Sequence, residues 1–201
     1  MKTPAVIVLA AGQGTRMRSK LAKVLHPVCG RPMALYAADL AEALAGGRVA
    51  VVVGHQAEKV KDLLADRKVD LVVQARQLGT GHAVTQAQSV FQGRAGNAWS
   101  GLRFVILSGD TPLLTEATVR GLLAAHERER ATVSMLTAHL DHPAGYGRIV
   151  RGRDGAVWKI IEDKDASPSD RRLTEVNAGT YVVEGEFLFP ALAALKPANV
   201  Q

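Results

Sequence analysis

Cysteine, aromatic residues and long apolar runs are all scarce in this sequence, and each scarcity argues against a class of protein. Cys29 is the single cysteine among 201 residues, so no disulfide forms within the chain, in keeping with a reducing, cytoplasmic setting. Aromatic side chains make up 4% of residues, which argues against the stacking platforms that bind single-stranded nucleic acid. No apolar run approaches the ~18 residues that span a bilayer, so neither a membrane segment nor a membrane partner is expected. Met1-Lys2-Thr3-Pro4 leads directly into an apolar strand, so no signal peptide is expected.

What is present is an apolar fraction of 47% and a formal charge of +6. The first is ample for a core, the length suits one domain, and the second favours anionic partners, either small phosphates or nucleic acid. Short runs rich in Val, Ile and Leu at residues 5–9, 48–53, 70–74 and 103–107 read as buried strands. Helical patterns alternate with them at 32–44, 56–64, 81–91 and 115–129, the first opened by Pro32 and closed by Gly46-Gly47. This βα repetition predicts an α/β fold, Rossmann-like, with a mostly parallel sheet flanked by helices on both faces. After Ala131 the texture changes to strands at 132–138, 147–150, 156–162 and 176–183, with a further helix at 186–195, which predicts an antiparallel extension in the C-terminal third. The polar segment 164–172, containing Pro168, is expected to be a weakly ordered loop.

The strongest chemical signal is Leu9-Ala10-Ala11-Gly12-Gln13-Gly14-Thr15-Arg16-Met17, which follows the apolar run 5–8 and is trailed by Lys23. A glycine turn at the carboxyl end of a buried strand presents backbone N–H groups where open α/β sheets bind ligands, and Arg16 and Lys23 add positive charge. The Walker pattern Gly-x-x-x-x-Gly-Lys-Ser/Thr is absent. The dinucleotide fingerprint fails at its third small position, which is Met17. A tight turn with two solvated basic side chains is the competing interpretation. A second signal is Ser108-Gly109-Asp110-Thr111-Pro112, directly after Phe104-Val105-Ile106-Leu107. Mg²⁺ is commonly held by one or two carboxylates plus substrate phosphates, so Asp110 suffices as a protein anchor. The competing role for Asp110 is a cap on the following turn or helix.

Beyond these two signals stand Lys23-Val24-Leu25-His26, Gln77-Leu78-Gly79-Thr80-Gly81-His82-Ala83, Gly145-Tyr146-Gly147-Arg148-Ile149, Glu162-Asp163-Lys164-Asp165-Ala166 and Asn177-Ala178-Gly179. With these blocks, in this order, the chain resembles the uridylyltransferase domain of the bifunctional N-acetylglucosamine-1-phosphate uridylyltransferase/glucosamine-1-phosphate N-acetyltransferase family. The first block is shared among sugar nucleotidylyltransferases, whereas those around Gly79 and Gly147 are more specific. The resemblance implies a nucleotide-diphospho-sugar transferase fold. It also implies uridylyl transfer from UTP to N-acetylglucosamine 1-phosphate, giving UDP-N-acetylglucosamine, a peptidoglycan precursor, with pyrophosphate released and Mg²⁺ as cofactor. Leu9, Ala10, Ala11, Gly12, Gln74, Gly79 and Thr80 are implied to surround the uridine. Ser108 and Gly109 would contact substrate, Gly147, Glu162 and Asn177 would hold the sugar side, Arg16 and Lys23 would be catalytic, and Asp110 would hold the metal.

A glutamine amide carries both a donor and an acceptor, matching the imide edge of uracil; a strand-end surface residue is the plainer role for Gln74. Two departures from the family pattern stand out. Ala22 replaces a usual proline, so a less rigid Lys23 loop is expected. The chain also ends at Gln201, before the segment expected to carry a second metal ligand, an asparagine, and before the β-helical acetyltransferase domain with its trimer contacts. A single nucleotidyltransferase domain over 1–201, truncated at its C-terminal end, is therefore expected, with nucleotide binding surviving better than turnover. Another sugar-1-phosphate nucleotidylyltransferase, a nucleotide-sugar sensor without turnover and a nucleic-acid module are the alternatives. The six histidines, including His139 and His142, show no zinc-ligand spacing.

Overall fold

The computed structural model of the chain describes residues 3–14, 17–92, 99 and 101–195. In chain order the elements are β1 (Ala5–Ala10), β2 (Pro27–Val28), β3 (Arg31–Pro32), α1 (Met33–Leu44), β4 (Val49–Val53), α2 (Ala57–Leu63), β5 (Asp70–Val73), α3 (Thr80–Gln86), α4 (Gln88–Phe91) and β6 (Arg103–Ser108). They continue with α5 (Glu116–Arg128), β7 (Val133–His139), β8 (Arg148–Arg151), β9 (Val157–Ile161), β10 (Glu175–Glu184) and α6 (Gly185–Ala194). Two compact units result, one comprising Met1–Ser134 with Tyr181–Gln201 and the other Met135–Thr180.

In the first unit, the β-branched runs expected as buried strands form a parallel array in the order β5-β4-β1-β6. The Tyr181–Glu184 end of β10 adds to β6 antiparallel, with Tyr181 opposite Ile106. Alternate side chains of β1 face opposite ways. Val6, Val8 and Ala10 join a cluster with Ala34, Ala37, Ala41 and Leu44 of α1 and with Val119 and Leu123 of α5. Ala5 and Ile7 join a second cluster with Ala83 and Val84 of α3, Phe91 of α4 and Leu188 and Phe189 of α6. A sheet covered on both faces is thus the expected mostly parallel fold, and its registers bring the carboxyl ends of the strands to one edge: Ala10 pairs Val53, Val53 pairs Val73, and Leu9 pairs Ser108. Ligands bind at that edge in open α/β sheets.

In the second unit, β8 and β9 form an antiparallel hairpin, with Arg148 opposite Ile161, and Val176 of β10 pairs Arg148. Its interior is partly polar. Arg148 is 2% exposed and donates to Asp163 Oδ1 at 3.0 Å and to the Tyr146 carbonyl.

Three local expectations change. The helix expected over 81–91 is two, because Ala87 and Val90 donate back to Val84 and Ala87 by i→i−3 bonds at 3.0 and 3.1 Å, tightening the turn and restarting the helix. Pro32 ends a hairpin instead of opening the helix by itself. The β2–β3 turn carries Cys29 at φ 50° and Gly30 at φ 78°, the pair of positive angles of a type I′ turn with cysteine where asparagine is usual. Segment 164–172 is locally bonded, with short 3₁₀ turns at Asp163–Asp165 and Asp170–Arg172. Asp170 accepts from the Ser167 N–H at 3.0 Å and from its hydroxyl at 2.6 Å.

Candidate functional site

At the sheet edge of the first unit, the loops after β1, β4 and β6 touch through their backbones. Gly109 N donates to the Leu9 carbonyl at 2.9 Å, and the Ala11 carbonyl accepts from His55 N at 3.3 Å and from Gln77 Nε2 at 2.8 Å. Glycine makes this approach possible. A Cβ on Gly54 would lie 2.8 Å from the Ala11 oxygen and 3.1 Å from its Cα, and one on Gly109 would lie 3.0 Å from the Leu9 oxygen. Gly14, at φ +66°, serves the same end for Lys23, whose Cβ would meet an added Cβ at 2.6 Å. Gly14 of the first motif is therefore in part a packing device that lets the Lys23 stem cross the loop, whereas an added Cβ on Gly12 would meet nothing within 4 Å. Arg16, with Thr15, lies outside the described residues.

Lys23 opens a 3₁₀ turn, Lys23–Leu25, whose Val24 is buried. Its ammonium pairs with Asp110 Oδ2 at 2.5 Å, with the two side chains 41% and 29% exposed. The loop before Lys23 is held by a residue absent from the sequence-based site. Gln56, in the left-handed region at φ 54°, accepts from Ala22 N through Oε1 at 3.0 Å and donates from Nε2 to the Lys20 carbonyl at 2.8 Å. Ala22 is itself fully buried, so the stretch before Lys23 is held by packing as well as by the two Gln56 bonds.

Asp110 does not cap α5. That role belongs to Thr115, whose hydroxyl accepts from Thr118 N at 3.2 Å. The turn around Asp110 is closed by Thr111 Oγ1 donating to the Ser108 carbonyl at 2.9 Å. Among the described residues, no group of three or more His, Cys, Asp or Glu side chains converges as a metal site. The partly exposed Asp110 carboxylate fits Mg²⁺ as a single protein ligand, where substrate phosphates and water complete the shell.

Gln74 follows β5 and is 5% exposed, so it is no surface residue. Its backbone N donates to the Val53 carbonyl at 2.7 Å. Its side-chain Nε2 donates to the Gly79 carbonyl at 3.2 Å and stands 2.9 Å from His82 Nδ1. Gly79, at φ 97°, turns the chain into Thr80, the first residue of α3.

The sugar-side candidates meet in the second unit. Asn177 N donates to the Gly147 carbonyl at 2.9 Å, and Asn177 Oδ1 accepts from Gly179 N at 2.9 Å. A Cβ on Gly147 would lie 3.5 Å from Glu162 Oε1, and Glu162 is exposed. Gln56, Gln77 and His82 are the contributors that motif reasoning left without a role. Gln77 and His82 at least sit inside the block around Gly79, whereas Gln56 carries no local signal.

The family profile described as MobA-like NTP transferase domain matches residues 6–178. The bifunctional protein GlmU of Shouchella clausii is 49% identical over 97% of this chain, which spans 41% of that relative. GlmU of Geobacter sulfurreducens is 45% identical over the whole chain, again 41% of the relative's length. Among solved structures, HddC from Yersinia pseudotuberculosis complexed with GMP-PN superposes with a TM-score of 0.71 at 20% identity, covering 92% of this chain and 79% of that one. A putative glucose-1-phosphate thymidylyltransferase from Bacillus anthracis gives 0.76 at 19% identity, covering 96% of this chain and 76% of that one. At such identities the likeness shows the fold. No helix among the described residues is long and apolar enough to cross a membrane.

Proposed function

Because the chain belongs to the MobA-like NTP transferase domain family, we propose that it transfers a uridylyl group from UTP to N-acetylglucosamine 1-phosphate, giving UDP-N-acetylglucosamine and pyrophosphate. The observation that carries this is the Lys23–Asp110 pair at 2.5 Å, set beside the carboxyl ends of adjacent parallel strands β1 and β6. It supplies one cationic group for phosphates and one carboxylate for a metal at the edge where such sheets bind nucleotides. The similarity to GlmU proteins supports the choice of substrates.

An oxygen of the sugar phosphate attacks the α-phosphorus of UTP. The new P–O bond forms as the bond to the β-phosphate oxygen breaks, and pyrophosphate leaves. A phosphomonoester with a second pKa near ~6 is mostly dianionic at neutral pH, so no general base is required, and catalysis rests on alignment and charge neutralisation. The backbone of Leu9 to Gly12 receives the nucleotide, Gln74, Gly79 and Thr80 the uracil side, and Ser108 and Gly109 the strand-end contact with substrate. Lys23, with Arg16, stabilises phosphate charge. Gly147, Glu162 and Asn177 receive the N-acetylglucosamine moiety. Mg²⁺, held by Asp110, would neutralise charge on the phosphates of the two substrates.

The test is pyrophosphate release from UTP with N-acetylglucosamine 1-phosphate and Mg²⁺. Lys23→Ala is expected to lower turnover by ~10²- to 10³-fold, the usual effect of losing one electrostatic contact to the transition state. Near-native turnover in Lys23→Ala overturns the assignment. Equal rates with dTTP, CTP or GTP overturn the choice of nucleotide, and binding of UDP-N-acetylglucosamine without any pyrophosphate release identifies a nucleotide-sugar-binding protein.

A further inference from the structure

At the end of the first unit opposite the strand carboxyl ends lies a cavity of about 250 Å³. Thr3 and Pro4, which lead into β1, line it together with Arg103, the first residue of β6, with Leu44 and Ala45 at the end of α1, and with Arg120 and Leu123 of α5. Among the described residues its charged lining is the two arginines, with no carboxylate. Both guanidiniums are tied down without being used up. Arg103, with a side chain 13% exposed, donates from Nε to Glu184 Oε1 at 2.7 Å, while its Nη1 is closed off from solvent and makes no hydrogen bond. Arg120, 49% exposed, donates from Nε to Glu116 Oε1 at 2.6 Å and from Nη2 to the Ala43 carbonyl at 3.1 Å, and a guanidinium carries further N–H groups beyond those two. The bond to Ala43 also covers a carbonyl at the carboxyl end of α1, whose partial negative charge would otherwise oppose an anion. A sealed, unpartnered donor on a cation is costly, and it calls for an acceptor.

We infer that this cavity is an oxyanion site, which takes one phosphate group, free or on a small ester, between Arg103 and Arg120. A small swing of Arg103 into the cavity brings Nη1 to a phosphate oxygen, and Arg120 closes on the anion from the exposed side as a second fork. Planar guanidiniums suit this task, because each can offer a phosphate two parallel N–H bonds. The volume limits the ligand. At ~30 Å³ for each water the cavity has room for about eight waters, and it falls short of the ~300–1,000 Å³ of pockets for larger ligands, so a nucleotide does not fit. The six-residue strands β1 and β6 run between this cavity and the edge that carries Lys23 and Asp110. At ~3.3 Å per residue that is a separation of roughly 20 Å, too far for one phosphate group to serve both places. The inference therefore stands apart from the proposed reaction.

The experiment titrates orthophosphate into the isotope-labelled full chain without Mg²⁺, at constant ionic strength balanced with chloride, and reads Kd from the amide shifts in nuclear magnetic resonance. The amides of Thr3 and Ala45 are expected to shift and saturate at millimolar phosphate, and to do so equally in Lys23→Ala. Affinity at these amides should fall by about tenfold or more in Arg120→Gln and in Arg103→Lys, each of which removes one guanidinium fork. Arg120 is half exposed, so Arg120→Gln keeps the fold, and Arg103→Lys keeps a cation beside Glu184, so neither loss reports unfolding. Shifts confined to Gly12 and Gly14 that vanish in Lys23→Ala place the phosphate at the strand carboxyl ends and overturn the inference. It is equally overturned by shifts that chloride alone reproduces, by an absence of saturation, or by an affinity unchanged in both arginine variants. Each of these outcomes leaves the proposed reaction standing.

Discussion

The unit that carries Lys23, Gln74 and Asp110 and the unit that carries Gly147, Glu162 and Asn177 are held by different forces. In the first, apolar clusters fill both faces of the parallel sheet, and the strand-end loops contact one another backbone to backbone through Gly54 and Gly109. In the second, the well-buried apolar side chains are Ile149, Ala166 and Val176, and the largest buried side chain is Arg148. Close packing around a cradle leaves little room for adjustment. An interior organised by an ion pair depends on both partners being present, because a buried charge without its partner is costly. The difference teaches that the first unit is specified by shape, and the second by polar contacts that fail when one member is removed.

The sharpest way to break this comparison lies in Arg148 and Asp163. Asp163→Ala strands a guanidinium that is 2% exposed, whereas Arg148→Met strands a carboxylate that is 33% exposed and can rehydrate. Met also removes Arg148 Nε, which is buried without a partner. Asp163→Ala is expected to cost ~3 kcal/mol or more and Arg148→Met clearly less, measured by urea unfolding. The reverse order would show that the second unit does not depend on the buried arginine.

Glycine substitutions test the other half. Gly54→Ala drives a Cβ to 2.9 Å from Ala11 Cβ and 3.1 Å from its Cα. Backbone must move, so a loss of ~1–3 kcal/mol and weaker nucleotide binding are expected. Gly147→Ala first meets the Ile160 methyl at 2.9 Å, a side-chain tip, and its cost should be the smaller of the two. Equal costs would remove the distinction between a backbone-packed and a side-chain-lined site.

How much of this was legible in sequence follows from the range of the interactions. The four parallel strands, the helices between them and the loop from Leu9 to Gly14 announce themselves by local periodicity and glycine placement. The β2–β3 hairpin does not, because its turn uses Cys29-Gly30, and neither does the break at Ala87, which arises from i→i−3 bonds within a continuous apolar pattern. Of the candidate site, Lys23 and Asp110 were readable as chemistry, but their pairing across 87 positions was not, and neither was the role of Gln56, whose bonds reach back 34 and 36 residues. Gln74 was readable as a base reader only by resemblance, and its buried setting came from the fold.

Acid should sharpen the comparison further. In the first unit, burial pushes the Glu184 carboxyl up, but hydrogen bonds from Arg103 and His126 and their charges outweigh it, and the carboxyl ends below its ordinary 4.5. A depressed carboxylate contributes stability that is full above its unfolded value and is lost as pH falls through the folded value. Unfolding free energy is thus expected to drop below about pH 4.5. Glu184→Gln should flatten that drop by less than about 1 kcal/mol, since the side chain is 35% exposed and solvent screens it. An acid limb identical to wild type would assign acid sensitivity to Asp39, or to Glu175 or Asp170 of the second unit, also held below their ordinary values, chiefly by hydrogen bonds from Arg31, Arg151 and Ser167.

The smallest effect concerns Ala22, and it decides whether the first unit positions Lys23 by backbone stiffness or by a hydrogen bond. Ala22 has φ −57°, already suited to proline, so Ala22→Pro should stabilise by ~0.4–1 kcal/mol through the unfolded chain. Its N–H, however, donates to Gln56 Oε1 at 3.0 Å, and losing that bond costs ~0.5–1.5 kcal/mol. Ala22→Pro alone is therefore expected to leave stability nearly unchanged. Gln56→Ala alone should cost about 1 kcal/mol, with weaker UTP binding as the Lys23 loop loosens. In the Gln56→Ala background the hydrogen bond is already gone, so Ala22→Pro should become stabilising and recover part of the UTP affinity. The coupling read from this double-mutant cycle measures the bond directly. Simple additivity would mean that the two residues do not cooperate, and that the Lys23 loop owes its position to the buried Ala22 and Val24 instead.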